Sequence, residues 1–177
     1  ACLASMPLPQ MVQPALDALS DRIGESASVS ILDGDEIVYI ARSAQRKVMS
    51  ISLMPGSRLP AYCTAMGRIL LGTLPMAEAR ARIGAGPLRA YTPHTMTDPD
   101  RIMEEVAQIR ERGHALADQE VELGLRSVAV PLANARGHVI AALNLGLASG
   151  GESPEAAVAR LVPELRAVAA QLRGSLR

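Results

Sequence analysis

The sequence predicts an α+β domain built on a largely antiparallel sheet. Two observations support this prediction. Strand patterns occur in pairs joined by tight turns, and helical patterns are grouped in blocks instead of alternating with single strands. The predicted order is one helix, three strands, three helices, three strands and a last helix. A chain of 177 residues, 49% hydrophobic and 20% charged, can bury one substantial core.

The first half of the chain is predicted to contain one helix and three strands. Apolar residues at helical spacing from Val12 to Ile23 predict a helix that Gly24 ends. The strands predicted next are 29–32, 36–41 and 48–54. The sequence Asp33-Gly34-Asp35 between the first two is typical of a β-hairpin turn.

The middle of the chain is predicted to be helical. Thr64 is the expected N-cap of a helix that reaches about Gly72, and a second helix follows Pro75. The clearest helix opens at the capping sequence 97–100 and stops at Gly113.

The last part is predicted to be mostly strand. The elements expected here are strands over 114–120, 127–132 and 139–147, and a final helix over 153–172. Pro131 predicts that its strand lies at an edge or carries a local irregularity. Pro163 should kink the final helix.

Composition argues against several classes of partner. The formal net charge is zero, the arginines are scattered, and Phe and Trp are absent, so this segment is not expected to bind nucleic acid itself. No apolar run is long enough to cross a bilayer, so no membrane contact is expected. Cys2 and Cys63 make no disulfide framework, which favours a cytoplasmic location. The lack of an initiator Met favours a fragment or a processed product.

Few residues suggest catalysis. The isolated histidines His94, His114 and His138 have no metal-ligand spacing, so neither a metal nor a cofactor is expected. Cys63 beside a helix start is a conceivable thiol nucleophile. No base lies at a recognisable offset from it, and a buried apolar role is the more common one for a free cysteine.

The predicted helix start at Thr64 is a candidate anion site. Free backbone amides of a first helical turn suit a carboxylate or a phosphate. No acidic residue between Gly56 and Leu71 fills the position from within this stretch. An ordinary capped helix start is the alternative.

Two further polar positions could line a pocket. Arg126 and Ser127 close a polar stretch that is either a solvated loop or a pair of donors at a pocket mouth. Asn144 lies inside an apolar strand and needs a hydrogen-bond partner, which could be a ligand or the backbone.

Three separated blocks of this chain resemble the IclR family of bacterial transcriptional regulators. Gly56-Ser-Arg-Leu-Pro60 followed by Cys63-Thr-Ala-Met-Gly-Arg-Ile-Leu-Leu71 is similar to the family's GSRLP and GKALL signature. Leu123-Gly-Leu-Arg-Ser-Val-Ala-Val-Pro131 and Gly137-His-Val-Ile-Ala-Ala-Leu-Asn144 resemble its later blocks, in order.

Further motifs resemble the branch of the family that senses aromatic catabolites. They are Lys47-Val-Met-Ser-Ile-Ser52, Tyr91-Thr-Pro-His-Thr95 and Asp118-Gln-Glu120. That branch controls the β-ketoadipate pathway, with protocatechuate, 4-hydroxybenzoate or β-ketoadipate as ligands.

The resemblance implies a fold, a domain organisation and partners. The expected fold is a GAF/profilin-like effector domain with a six-stranded sheet, and the expected assembly is a homodimer or homotetramer. Residues 1–24 would be a linker helix and residues 25–177 the effector-binding domain. DNA would be bound only through a winged helix-turn-helix upstream of this chain.

The resemblance also implies a ligand site. The backbone donors would be Ala65 and Met66, next to Thr64. Polar strand positions of the family fall on Ser127 and Asn144, with Arg126 adjacent. A serine of the family pocket falls on Gly146, and the aspartate of small-acid sensors falls on Ala117. The apolar wall falls on Val48, with Ser50 nearby. Because Ala117 replaces the aspartate and Gly146 replaces the serine, the resemblance implies a larger, flatter ligand than a two- or three-carbon keto acid.

Together these features predict a ligand-sensing and oligomerisation domain that performs no chemistry. Two alternatives stay open. One is a GAF-like thiol enzyme that uses Cys63, and the other is a dimerisation module without a ligand.

Overall fold

A six-stranded antiparallel sheet organises the chain in a computed structural model that describes residues 7–45, 52–85 and 87–177. The helices are α1 (Leu8–Ile23), α2 (Ala65–Leu71), α3 (Met76–Ile83), α4 (Pro99–Arg112) and α5 (Pro154–Arg173). The strands are β1 (Ser26–Asp33), β2 (Glu36–Ser43), β3 (Arg58–Pro60), β4 (Ala115–Asp118), β5 (Leu125–Ala133) and β6 (Val139–Ala148). The predicted α+β class and sheet are confirmed.

The sheet joins two sets of hairpin-connected strands. Its strand order is β3-β2-β1-β6-β5-β4, and every pairing is antiparallel. The β1–β2 hairpin turns at Gly34, and the β5–β6 hairpin turns at Gly137, both with positive φ. Because β1 pairs with β6, the two hairpins meet in the middle of the sheet.

The two faces of the sheet carry separate cores. On one face, α1 and α5 pack against alternate strand residues such as Leu143 and Leu145. On the other face, α2 and α4 pack against a second cluster that includes Ile37 and Tyr39. All residues of α2 are buried, so this short helix is a core element of the second face.

Helix ends follow the local signals in the sequence. Thr64 is an N-cap, as predicted, and Asp98 and Ser153 are the N-caps within the two other predicted helix starts. All three side chains accept backbone hydrogen bonds. Gly24 and Gly113 end their helices in the left-handed conformation that glycine adopts without strain. α5 continues through Pro163, and the kink there stays a prediction. No helix in the described ranges is long and apolar enough to cross a bilayer.

The predicted third strand over 48–54 is wrong in the part that the structure describes. Residues 52–54 are not in a strand, and residues 48–51 lie outside the described ranges. The third strand is β3, at the sheet edge beside β2. A turn at Gly56, with φ of 93°, reverses the chain, and the Ser57 carbonyl then accepts a 2.9 Å hydrogen bond from the Tyr39 amide.

Two strand irregularities have clear causes. β4 stops at Asp118, earlier than predicted, because Gln119 has a positive φ that ends extended pairing. Pro131 lies in β5 beyond the last residue paired with β4, Ala129, so its strand is a local edge there. The β5–β6 register also shifts next to Leu132, which confirms the predicted irregularity.

A bulge in β2 changes which side chains share a face. Val29 lies opposite Ala41, but Ser30 lies opposite Tyr39, so Ile40 has no partner across the strand pair. Strict alternation would place Tyr39 and Arg42 on opposite faces. The extra residue turns both toward the α2 side of the sheet.

We predict that Gly67→Ala destabilises the domain by about 1–3 kcal/mol, the usual cost of overpacking. A Cβ at this position would collide with the Ala61 backbone and with the Thr64 side chain. Urea denaturation measures the effect. Gly146→Ala is the control, because a Cβ there meets nothing within 4 Å. Equal stability of the two variants would contradict the close packing of α2.

Candidate functional site

A cavity of about 50 Å³ lies between the start of α2 and the sheet. Its apolar lining includes Leu53, Leu59, Met66, Val121 and Leu125. Its polar lining includes Ser26, Tyr39, Arg42, Glu120, Arg126, Ser127 and Asn144. The cavity therefore has the mixed character of a small-molecule site, with a few polar groups among apolar walls.

The N-terminal turn of α2 forms one end of this cavity. Thr64 Oγ1 accepts the Gly67 amide at 3.2 Å and donates to the Pro60 carbonyl at 2.9 Å, so its side chain serves as the cap. The amides of Ala65 and Met66 belong to the first turn, where no intrahelical acceptor exists. Thr64, Ala65 and Met66 all line the cavity, as the predicted anion site requires.

Asn144 lines the sheet side of the cavity and has an acceptor without a partner. Its Nδ2 donates to Ser127 Oγ at 2.9 Å, while its Oδ1 is buried without a hydrogen-bond partner. The residue is only 5% exposed. An unpaired buried acceptor costs roughly 1–3 kcal/mol, so this oxygen favours a donor that is supplied from the cavity.

Two small residues leave room beside Asn144. Gly146 lies opposite Ser26 on one side and Ser127 on the other. A Cβ added at Gly146 would meet nothing within 4 Å, so its missing side chain is open space. Ala117 is buried and also lines the cavity.

Arg126 lines the cavity but has partners of its own. Its Nε donates to Asp118 Oδ1 at 2.8 Å and its Nη1 donates to the Glu152 carbonyl at 2.6 Å. The side chain is about nine-tenths buried. Of the two alternatives for this stretch, the solvated loop does not hold at Arg126, which lies on the cavity lining in a partly buried ion pair with Asp118.

The ion pair between Arg68 and Glu120 was not predicted from the sequence. The two nitrogens of the Arg68 fork donate to the two Glu120 oxygens at 2.6 and 2.7 Å. Their side chains are 2% and 9% exposed. The partners are 52 residues apart, and no local pattern indicates such a pairing.

Further hydrogen bonds surround this ion pair. Arg68 Nε donates to the Tyr62 carbonyl at 2.8 Å. Glu120 Oε1 accepts the Met96 amide at 2.9 Å, and the Glu120 carbonyl accepts Thr95 Oγ1 at 2.5 Å. The pair therefore ties α2 to the β4–β5 connection and to the loop before α4.

Arg42 is the second site residue that sequence reasoning missed. It lines the cavity, and its Nη1 donates to Ser28 Oγ at 3.1 Å. Its Nε is buried without a hydrogen-bond partner. Burial lowers the pKa of Arg42, because it disfavours the charged form. An alternating strand pattern could not reveal it, since the bulge at Ile40 sets its direction.

Comparison with known proteins identifies the family. The family described as bacterial transcriptional regulator IclR, C-terminal, matches residues 1–173. The chain belongs to this family.

Two relatives of this IclR domain have the names of gene regulators. The Pca regulon regulatory protein of Pseudomonas putida is 43% identical over 97% of this chain and 60% of its own length. The p-hydroxybenzoate hydroxylase transcriptional activator of Acinetobacter baylyi is 34% identical over 97% of this chain and 65% of its own. The chain thus spans about three fifths of these regulators.

Solved structures of the family share the fold. A transcriptional regulator of Rhodococcus sp. RHA1 has a TM-score of 0.92 at 39% identity, with 98% of this chain and 71% of that one covered. The inducer-binding domain of an Acinetobacter PobR double mutant, in complex with 3-hydroxybenzoic acid, has a TM-score of 0.86 at 32% identity. That match covers 96% of this chain and 99% of the PobR chain.

Four further residues were considered in the sequence analysis, two for the ligand site and two for a thiol enzyme. Val48 and Ser50 lie outside the described residues, and their roles stay predictions. Cys63 lines the cavity and is fully buried, whereas His94 is exposed. Within the described ranges, no group of three or more His, Cys, Asp or Glu could hold a metal ion.

We predict that removing Glu120 strongly destabilises this IclR domain. Glu120→Ala leaves the Arg68 guanidinium buried without its carboxylate, which costs about 3–5 kcal/mol. Chemical denaturation measures the loss. Glu164→Ala is the matched control, because it breaks the exposed pair with Arg22 and should cost at most about 1 kcal/mol. If both variants lose a similar free energy of unfolding, the buried pair contributes no more to stability than an exposed one.

We predict that the Cys63 thiol is unreactive in the folded domain. Burial raises its pKa to about 12, so at pH 8 its thiolate fraction is roughly a thousandfold below that of an ordinary cysteine. Alkylation of a Cys2→Ser variant, followed by mass spectrometry, should be slow in buffer and fast in urea. Rapid modification of the folded variant would refute this prediction.

Proposed function

We propose that this domain binds a small organic acid whose carboxylate lies at the first turn of α2. The observation that carries this proposal is the shared cavity. Ala65, Met66 and Asn144 line the same cavity, the Thr64 cap leaves the amides of Ala65 and Met66 unused, and Asn144 Oδ1 has no hydrogen-bond partner. A carboxylate satisfies the first set of groups, and a hydroxyl donor satisfies the second.

We infer that the effector is an aromatic acid or a β-ketoadipate pathway metabolite. The names of the Pseudomonas and Acinetobacter relatives support this class, and so does the 3-hydroxybenzoic acid bound by the PobR domain. The hydroxyl of a hydroxybenzoate is a suitable donor to Asn144 Oδ1. Ala117 and Gly146 support a bulkier ligand, because they leave space where larger side chains would project.

Binding of such a ligand requires the cavity to widen. Small-molecule sites usually enclose roughly 300–1,000 Å³, whereas this one encloses about 50 Å³. We expect an aromatic acid to enlarge the cavity when it binds. A ligand that favours the widened arrangement shifts the equilibrium between two shapes of the domain.

The proposed output is altered DNA binding by the complete regulator. DNA would be contacted through a winged helix-turn-helix outside this chain, in a homodimer or homotetramer in the cytoplasm. The family membership supports a regulatory role of this kind. The domain would not act as an enzyme, and the buried Cys63 with its raised pKa speaks against the thiol-enzyme alternative. Binding of an acid would separate a sensor from a ligand-free dimerisation module.

We predict that the domain binds protocatechuate or 4-hydroxybenzoate much more tightly than the matching carboxamides. The neutral amide lacks the charge that the first-turn amides stabilise, and losing a hydrogen bond to a charged group costs roughly 10- to 150-fold in affinity. Isothermal titration calorimetry of residues 1–177 measures both ligands. Equal affinity for acid and carboxamide would rule out the anion site at α2.

Variants locate the carboxylate within the cavity. Met66→Pro removes one amide at a first-turn position, and Met66→Ala is its control because it removes the side chain but keeps the amide. Only the proline variant should lose most of the preference for acid over carboxamide. Asn144→Ala and Ser127→Ala should each weaken binding of a hydroxybenzoate more than binding of benzoate. If Met66→Pro fails to fold, Arg42→Gln shows whether the preference for acid over carboxamide remains without the guanidinium that lines the same cavity.

A further inference from the structure

The described lining of the cavity carries an uncompensated positive charge. Its ionisable members are Tyr39, Arg42, Cys63, Glu120 and Arg126. Glu120 is neutralised by Arg68, and Arg126 is neutralised by Asp118. Burial raises the pKa of Tyr39 and of Cys63 to about 12 each, so both are neutral near pH 7. The guanidinium of Arg42 is the remaining charge.

Among the described residues, no acidic side chain forms an ion pair with Arg42. Its Nη1 bonds to a neutral hydroxyl, that of Ser28, and its Nε is buried without a partner. A cation that is partly removed from water is costly unless an anion faces it. The planar fork of an arginine suits a carboxylate, which can accept two parallel hydrogen bonds.

Arg42 and the start of α2 lie at different points along β1. Ser28 contacts Arg42, whereas Ser30 contacts the Met66 side chain, with Ser30 Oγ and Met66 Sδ 3.2 Å apart. Residues two apart in a strand are separated by roughly 6.5–7 Å. Arg42, Ala65 and Met66 all line the same cavity, so one small ligand could contact both features.

We propose that Arg42 binds a second acidic group of the effector, so that the cavity selects a dianion over a monoanion. The inference rests on the proposed function, because it takes the first carboxylate to lie at α2. It adds a specificity-determining residue on β2 that the bulge at Ile40 turns into the cavity. A ligand with one carboxylate would leave the Arg42 charge unpaired.

Two series of probes separate the two anion sites. Each consists of a diacid, its monoamide and its diamide: adipate, adipamate and adipamide, and terephthalate, 4-carbamoylbenzoate and terephthalamide. Calorimetry with residues 1–177 should give an affinity about 10- to 150-fold higher for a diacid than for its monoamide. The diamide should bind most weakly. The difference in affinity between diacid and monoamide measures the site at Arg42. The difference between monoamide and diamide measures the site at α2.

Substitutions assign the preference for the diacid to Arg42. Arg42→Gln should lower diacid affinity to that of the monoamide while leaving monoamide affinity within about threefold. Arg42→Lys keeps the charge but loses the fork, and should retain part of the preference. Arg101→Gln, an exposed arginine on α4, is the control and should change neither affinity. Circular dichroism checks that each variant folds.

The outcomes distinguish the two proposals. Equal affinity for diacid and monoamide, both above the diamide, overturns the second anion site, and the effect of Arg42→Gln on the monoamide then shows whether the single carboxylate lies at Arg42 or at α2. Equal affinity for all members of a series overturns the proposed function itself. If hydroxybenzoates bind and none of the six probes does, the dianion inference is wrong. If Arg42→Gln fails to fold, the probe series on the unaltered chain and Arg42→Lys decide the inference.

Discussion

The buried ion pair between Arg68 and Glu120 holds together the half of the domain that contains the cavity. Removing two charges from water costs several kcal/mol per ion, so such a pair is tolerable only when its geometry and its remaining hydrogen bonds are good. Here the pairing is bidentate, and the Tyr62 carbonyl and the Met96 amide supply further bonds. Apolar residues could fill the same volume, but they would not fix three chain segments in one mutual orientation. The α2 turn, the β4–β5 connection and the loop before α4 depend on this pair for their positions.

The two faces of the sheet differ in how complete their cores are. The face toward α1 and α5 is closed by leucines and valines with almost no exposure. The opposite face carries serines, Asn144, Gly146 and Arg42 under α2, and leaves an acceptor and a donor there without partners. Polar groups in a core are costly unless they are satisfied. A polar ligand is the natural completion of this second core, and ligand binding is thereby coupled to the stability and shape of the α2 side.

The narrowness of the cavity gives this coupling a mechanism. A ligand changes an equilibrium only by its difference in affinity between the two arrangements. Because packed side chains have discrete arrangements, we expect a ligand that enlarges this cavity to shift one of its walls as a unit. The wall elements are tied to one another by Arg68 and Glu120, so a displacement of one is carried to the others. Arg42 lies on β2 and is not bonded to Arg68 or Glu120, so we expect it to keep its position when α2 and the β4–β5 connection shift.

Local chemistry in the sequence determined the class of fold, the hairpins, and the helix ends at Gly24, Thr64 and Asp98, because turns and caps depend on neighbours within a few residues. The same signals placed Ala65, Met66, Ser127 and Asn144 on their elements, and the structure brings these four residues to one cavity. Only the tertiary structure decided the rest. The third strand is β3 instead of the predicted strand 48–54, because a turn at Gly56 brings the chain back beside β2. Arg42 turned into the cavity because one extra residue in β2 reverses the side-chain alternation. Arg68 met Glu120 across 52 residues, since the partner of a buried charge is chosen by the folded packing and leaves no local pattern.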